Sequence, residues 1–243
     1  MAEHDHAEDP HGPTAAIIGE DNTRPVWLLE RAVKLARAVA RISLPDINGT
    51  GFLIASDVLL TNNHVIPDEQ TARAAEIWFN DQATMSGAPR EPYKVLCAPH
   101  LGFHTSPAQE VGATADALDF TVVKLAERVG RRFGRIPLDA WAEVEKDDSV
   151  AIVQHIDGQP KSVAMSDNQV AFADEFVVHY LTDTNGGSSG APVFNDRWEV
   201  VALHHGRGDP DPNAPDPRFR DWNEGIRMSA IIGQLPTWAG GTK

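Results

Sequence analysis

The sequence predicts an all-β protein made of two antiparallel β-barrels of about six strands each, with one helix before the first barrel and one after the second. Three observations lead there. Short β-compatible runs fall into two series, separated by a charged connector. Turn signals such as Asn48-Gly49 punctuate the runs. There is no internal repeat and no strand–helix alternation, which excludes a doubly wound parallel sheet.

Length and composition agree. The 243 residues are 42% hydrophobic and 23% charged, as in ordinary globular chains and unlike disordered ones. A formal net charge of −14 argues against nucleic acid and membrane as partners, since both are polyanionic. The single cysteine, Cys97, permits no internal disulfide and fits a reducing compartment. The first residues carry Glu3, Asp5, Glu8, Asp9, Glu20 and Asp21 with no Lys or Arg, unlike a secretory signal, and no run has the length of a membrane span. The expectation is a cytoplasmic protein, with a secreted mature form as the alternative.

Taken in order, residues 1–16 read as a polar, mobile tail. His4, Asp5, His6 and His11 could hold a metal, but no rigid scaffold presents them, so no metal is expected. From Pro25 to Val39, Leu28, Leu29, Ala32, Val33, Leu35, Ala36 and Val39 recur at helical spacing, which predicts an amphipathic helix packed on the body. Pro25 suits its first turn, where a missing amide donor costs nothing. The first strand series comprises Ile42–Leu44, Gly51–Ala55, Val58–Thr61, Ile77–Asn80, Tyr93–Leu96 and Phe120–Leu125. Ala126–Gly134, with three arginines and two glycines, is the connector. The second series comprises Val150–His155, Ser162–Met165, Gln169–Phe172, Phe176–Leu181, Ala191–Phe194, Val200–His204 and Ile226–Met228. A helix from Ser229 towards Trp238 closes the chain. The barrels thus span about 40–125 and 136–228 inside a domain of 17–237, with 238–243 a short tail. A site is expected in the cleft between them.

The strongest chemical signal is Gly187-Ser188-Ser189-Gly190-Ala191-Pro192, preceded by Asn185-Gly186. A serine between glycines on a tight loop exposes its hydroxyl and aims neighbouring amides at one spot. Acyl transfer needs both, as attacking oxygen and as donors to the oxyanion it creates. Thr61-Asn62-Asn63-His64-Val65 follows the apolar run Val58-Leu59-Leu60, so His64 projects from a strand end. Asp119 opens the apolar strand Phe120–Leu125, whereas Asp116, three residues upstream, does not. Alone, each residue is an ordinary turn, surface or cap residue. Together they form a set.

These segments resemble the trypsin-like serine peptidases of the chymotrypsin fold, whose histidine, aspartate and serine follow one another in this order. Thr61 to His64, Asp119 to Val122 and Gly187 to Pro192 match the family's three motifs, with Ala191 in place of one glycine. The likeness is closest to bacterial glutamyl endopeptidases of the staphylococcal type. It rests on Gly186 to Asn195, on Glu199 to Gly206, and on Ile17 to Arg24 near the start of the chain. The resemblance implies two six-stranded barrels and a serine endopeptidase acting through an acyl-enzyme, with a peptide or protein substrate and no cofactor. It assigns His64, Asp119 and Ser189 as catalytic and the amides of Gly187 and Ser189 as the oxyanion hole.

Specificity is left open between two readings. Thr184, five residues before Ser189, and His204, fifteen after it, stand where the glutamyl branch binds an acidic side chain, and Arg207 would add attraction. Asp183 stands where trypsin carries the aspartate that selects Lys or Arg. It would repel an acidic side chain unless it turned away or paired with Arg207. Gly225 matches a small residue that keeps the family's pocket open. Ser188 replaces the aspartate that pairs with a new amino terminus in trypsin, so that activation switch is unavailable. The acidic, proline-rich loop Gly208–Glu224, with Asp209, Asp211, Asp216, Asp221 and Glu224, fits no EF-hand spacing, and Trp198 and Trp238 read as core. A catalytically silent peptide- or protein-binding module is the alternative function, and an esterase would share the same chemistry.

Overall fold

The computed structural model describes residues 23–109, 112–166, 168–208, 212–213 and 220–241. The tail with its histidines, the Ile17 to Asp21 segment and most of the acidic loop therefore lie outside the described residues.

Among the described residues, two antiparallel sheets of seven strands each make up the body, and each curls into half a barrel. The first comprises β1 (Val39–Ser43), β2 (Asn48–Leu53), β3 (Val58–Thr61), β4 (Glu76–Phe79), β5 (Tyr93–Leu96), β6 (Phe103–Ser106) and β7 (Phe120–Lys124). Its spatial order is β5-β4-β1-β2-β3-β7-β6. The second comprises β8 (Ala151–Gln154), β9 (Ser162–Ala164), β10 (Val170–Ala173), β11 (Val177–Tyr180), β12 (Pro192–Phe194), β13 (Val200–Arg207) and β14 (Asn223–Arg227). Its order is β10-β11-β14-β13-β12-β8-β9.

The first sheet holds seven strands where six runs were expected, and the reason is pairing. β6 reads Phe-His-Thr-Ser, too polar to announce a strand, yet it completes the sheet edge beside β7, from Phe103↔Val123 to Ser106↔Phe120. β14 likewise starts at Asn223 and not at Ile226, because its polar first residues pair with both β11 and β13.

The helices are shorter than expected. α1 runs Trp27–Ala36 and buries only Leu28 and Leu35 fully, while Leu29 and Val33 stay 57% and 68% exposed. The apolar stripe is wider than the face that packs, and Val39 already belongs to β1. Two short helices lie in the first half and the connector: α2 (Glu69–Ala74), capped by Asp68 accepting from the Thr71 amide, and α3 (Gly130–Phe133). Phe133 of α3 stacks on Phe79 with ring centroids 4.8 Å apart. The closing helix α4 (Met228–Gln234) stops before Pro236, which forces Leu235 into extended backbone, and a 3-10 turn at Thr237–Ala239 follows.

Two features position the site. β3 and β7 are antiparallel neighbours with Thr61 opposite Thr121, so the chain leaving β3 and the chain entering β7 emerge side by side. Thr50, fully buried on β2, fastens the second half to the first: its amide donates to the Ser189 carbonyl at 2.8 Å and its hydroxyl to the Gly187 carbonyl at 2.7 Å.

Candidate active site

His64 and Asp119 are brought together at those adjacent strand ends. Asp119 sits at φ 41°, in the left-handed region, immediately before β7, with its amide held by the Pro107 carbonyl at 3.0 Å. Asn62 donates its side-chain amide to the Asp119 carbonyl at 2.9 Å. The Asp119 side chain is 2% exposed. Its Oδ1 accepts the His64 backbone amide at 3.0 Å, and its Oδ2 accepts the His64 Nδ1 proton at 2.7 Å. That bond fixes the His64 tautomer, with the proton on Nδ1 and the lone pair on Nε2. Asp116 is exposed, and it is Asp119 whose carboxylate meets the ring.

A second imidazole reaches the same oxygen. His205 Nδ1 lies 2.6 Å from Asp119 Oδ2, and the two histidine rings stand edge to face with centroids 5.8 Å apart. Burial pushes the Asp119 pKa up, but the hydrogen bonds from His205 and His64 and their charges outweigh it, so the carboxyl lies below its ordinary value. The ligand atoms of this trio lie within 4.8 Å of one another. Both Nδ1 atoms and the carboxylate oxygen are already committed to one another, so the trio is a proton-bearing cluster in its present arrangement. Cys97 offers no competing nucleophile, because burial pushes its thiol up to about 12.

Ser189 lies on the turn between β11 and β12, packed against β2 and β3. Gly190 has φ 85°, and a Cβ there would stand 2.1 Å from the Thr50 carbonyl oxygen and 2.4 Å from Thr61 Oγ1. Gly187 has φ 88°, and its Cβ would meet the His155 carbonyl at 2.4 Å. The glycines therefore allow the close approach that seats the serine beside the His64 turn. The bonds of this turn run from Ser188 N to Asn185 O, Gly190 N to His204 O and Ala191 N to Ser188 O. Among the described residues no acceptor takes the amides of Gly187 or Ser189, and the Ser189 hydroxyl makes no hydrogen bond to His64. Ser188 is fully buried, and its hydroxyl accepts the Asn185 amide at 3.2 Å. The position that holds an aspartate in trypsin is thus satisfied locally.

A cavity of about 800 Å³ opens beside Ser189, and its walls include Asp183, Thr184, His204, Arg207 and Tyr180. His204 is 2% exposed, with Nδ1 at 2.8 Å from the Tyr180 hydroxyl. Burial, followed by the charges of His205 and His64, pushes its pKa down to about 3, so it is neutral. Burial and the Glu224 charge push the Tyr180 hydroxyl well above its ordinary value, so Tyr180 is the donor, His204 Nδ1 the acceptor, and Nε2 carries the proton.

The other expected pocket residues fall differently. Asp183 is exposed. Arg207 does not pair with it but makes a bidentate contact with Asp221, at 2.7 and 2.6 Å. Thr184 donates its hydroxyl to Asn223 Oδ1 at 2.7 Å, so it reaches the cavity through a hydrogen-bonded wall. Gly225 does not line the cavity; it lies behind it, where a Cβ would stand 3.1 Å from the Tyr180 hydroxyl. Its smallness makes room for the tyrosine that holds His204. Thr50, Tyr180 and His205 were missed from sequence, because each acts through a contact made only by folding. The one available hint was the His204-His205 doublet at the end of an apolar strand.

Comparison with known proteins accords with this geometry. Residues 49–203 match the family described as trypsin-like peptidase domain. Over 229 residues the chain is 36% identical to an uncharacterized protein of Sinorhizobium fredii, covering 86% of this chain and 32% of that one. Over 221 residues it is 31% identical to a secreted RxLR effector protein of Plasmopara viticola, covering 83% and 53%. A glutamyl endopeptidase of Staphylococcus aureus is 23% identical over 163 residues, covering 65% and 46%. The chain thus spans between a third and a half of the length of these curated relatives. Among solved structures, a Glu endopeptidase in complex with MPD superposes with a TM-score of 0.61 at 18% identity, covering 85% and 93%. The Rv3671c protease in its inactive form superposes with 0.55 at 15% identity, covering 92% and 100%. Both share the fold. The chain belongs to the trypsin-like peptidase domain family of serine peptidases.

Proposed function

We propose that this domain is a serine endopeptidase in which His64, Asp119 and Ser189 form the triad, with a preference for an acidic residue before the scissile bond. The observation that carries the reading is the buried Asp119 carboxylate bonded to His64 Nδ1 at 2.7 Å beside a serine turn whose two flanking amides are unspent. Ser189 Oγ attacks the scissile carbonyl carbon as its proton passes to His64 Nε2. The C–N bond then breaks, and His64 returns that proton to the leaving amine. Water repeats the sequence to free the acid and restore the serine. The imidazolium formed on the way is offset by Asp119. The amides of Gly187 and Ser189 donate to the oxyanion, each contributing about 3 kcal/mol of transition-state stabilisation.

The acidic preference rests on His204. Its neutral ring accepts from Tyr180 and keeps an Nε2–H as a donor on the cavity wall, suited to a carboxylate. Asp183 also lines the cavity, but it is exposed, so solvent screens its charge and weakens the case for a basic side chain at the pocket base. A peptide-binding module without catalysis is favoured by one observation, the missing hydrogen bond between Ser189 and His64. A fluorophosphonate probe separates the two. The peptidase labels at Ser189, loses labelling in Ser189→Ala, and cleaves a Glu-containing peptide faster than its Lys and Leu counterparts. A folded chain that does not label is the binding module, and faster cleavage after Lys overturns the acidic preference.

A further inference from the structure

Asp119 receives more donors than the triad requires, and the extra one is a histidine. β13 carries two adjacent histidines whose side chains go to different places. His204 turns to Tyr180 in the cavity, and His205 turns to Asp119 in the cleft between the two halves. The backbone makes this possible through an irregularity. Along β14 the partners run His204↔Gly225 and then Gly206↔Glu224, so His205 is the unpaired residue of a bulge that re-aims its side chain. Its side chain is only 12% exposed.

Four groups face His205 closely enough to bear on its charge. Asp119 before β7 is bonded to it, Glu224 on β14 adds a further negative charge, His64 after β3 lies edge to face, and neutral His204 is its neighbour on β13. Burial pushes the His205 pKa down. The Asp119 hydrogen bond and the charges of Asp119 and Glu224 push it up and prevail, so it stands above the ordinary 6.5.

We propose that His205 is a positioning residue that clamps the Asp119 carboxylate alongside His64, and that its loss of a proton as pH rises releases His64 to act as a base. This rests on the triad reading above. When His205 is neutral it donates one hydrogen bond and leaves the carboxylate's charge to the imidazolium that His64 becomes during acylation. When His205 is protonated, that imidazolium must form with a second cation 5.8 Å away, between the ring centroids, and the two share one oxygen. Acylation is therefore slowed below the His205 transition and speeds up as pH rises through it.

The rate of fluorophosphonate labelling, followed from about pH 5 to pH 9, reads this directly. The wild type should show an acid limb with its midpoint above 6.5. In His205→Asn, whose amide offers a neutral donor at every pH, the midpoint should move down by about one unit. Coincident midpoints, with labelling merely weaker at all pH values, would mark a structural role and overturn the proposal. His205→Ser repeats the comparison if the asparagine variant unfolds earlier than the wild type. Should the wild type not label at all, the triad reading fails by itself. NMR of protein labelled with 15N-histidine then decides the remaining point: a doubly protonated His205 ring above pH 6.5 upholds its charge switch, and a ring neutral throughout overturns it.

Discussion

At the scale of single residues, the cavity depends on one proton whose position is dictated from behind. His204 is too buried to carry a charge, so what it presents to the cavity is decided by which ring nitrogen is protonated. Tyr180, fully buried and 2.8 Å from Nδ1, makes that choice, and Gly225 leaves space for its hydroxyl. Tyr180→Phe keeps the ring and its packing but removes the donor. The tautomer is then free, and a buried nitrogen loses its partner, at a typical cost of 1–3 kcal/mol. The ratio of kcat/KM for a Glu peptide over a Leu peptide is expected to fall about tenfold, with cleavage of the Leu peptide much less affected. An unchanged ratio would mean that His204 does not read the substrate. This dependence was invisible in the sequence. His204 could be placed by its spacing from Ser189, whereas Tyr180 is 24 residues away on a strand that had no reason to be associated with it.

At the scale of elements, the serine turn is held by a strand of the other half. Thr50 on β2 uses its hydroxyl twice, donating to the part-buried Gly187 carbonyl at 2.7 Å and accepting the buried His155 amide at 3.0 Å. The turn's geometry is thus imposed from across the cleft. Thr50→Val preserves shape and β propensity but leaves two backbone groups, one buried and one part-buried, without that partner. A fall of roughly 2 kcal/mol or more in unfolding free energy is expected. The labelling rate should drop at least tenfold at a temperature where the variant is still folded, because the Gly187 amide shifts with the Gly187 carbonyl that Thr50 holds. Equal labelling rates would show that the glycines hold the turn unaided. The strands that place these parts were legible where their pattern was local: Val58–Thr61, Phe120–Leu125 and Val200–His204 all appear as apolar runs close to their observed limits. β6 and the start of β14 were not, since they are strands only by virtue of their neighbours' edges. The same holds for the candidate site. His64, Asp119 and Ser189 stand in local motifs of the sequence, while Thr50 and His205 reach them only through long-range contacts that spacing does not encode.

At the scale of the whole molecule, the two halves are joined by a polar seam as well as by apolar packing, and the seam carries its own pH dependence. Arg41 on β1 pairs with Asp81 at 3.1 Å, lies 4.0 Å from the Trp78 ring and donates to the Gly158 carbonyl of the second half. Lys161, just ahead of β9, crosses in the opposite direction: its ammonium donates to the Ala36 carbonyl at 2.8 Å and its amide to the Asp81 carbonyl at 2.8 Å. Burial pushes the Lys161 pKa down to about 8, with the Asp81 charge opposing only in part. In the unfolded chain a lysine has its ordinary value near 10.4. Between these values the unfolded state binds the additional proton, so the contribution of Lys161 to stability rises with pH from about 8 to about 10 and is constant below that window. Lys161→Met retains the stem that fills the seam and removes the titration. Thermal unfolding of the wild type against this variant, measured from pH 7 to pH 10, should show the wild type gaining relative to the variant over that window. Parallel curves would place the lysine's charge outside the seam. A gain with the opposite sign would mean that Asp81 and the Ala36 carbonyl together hold the ammonium more tightly than burial opposes it.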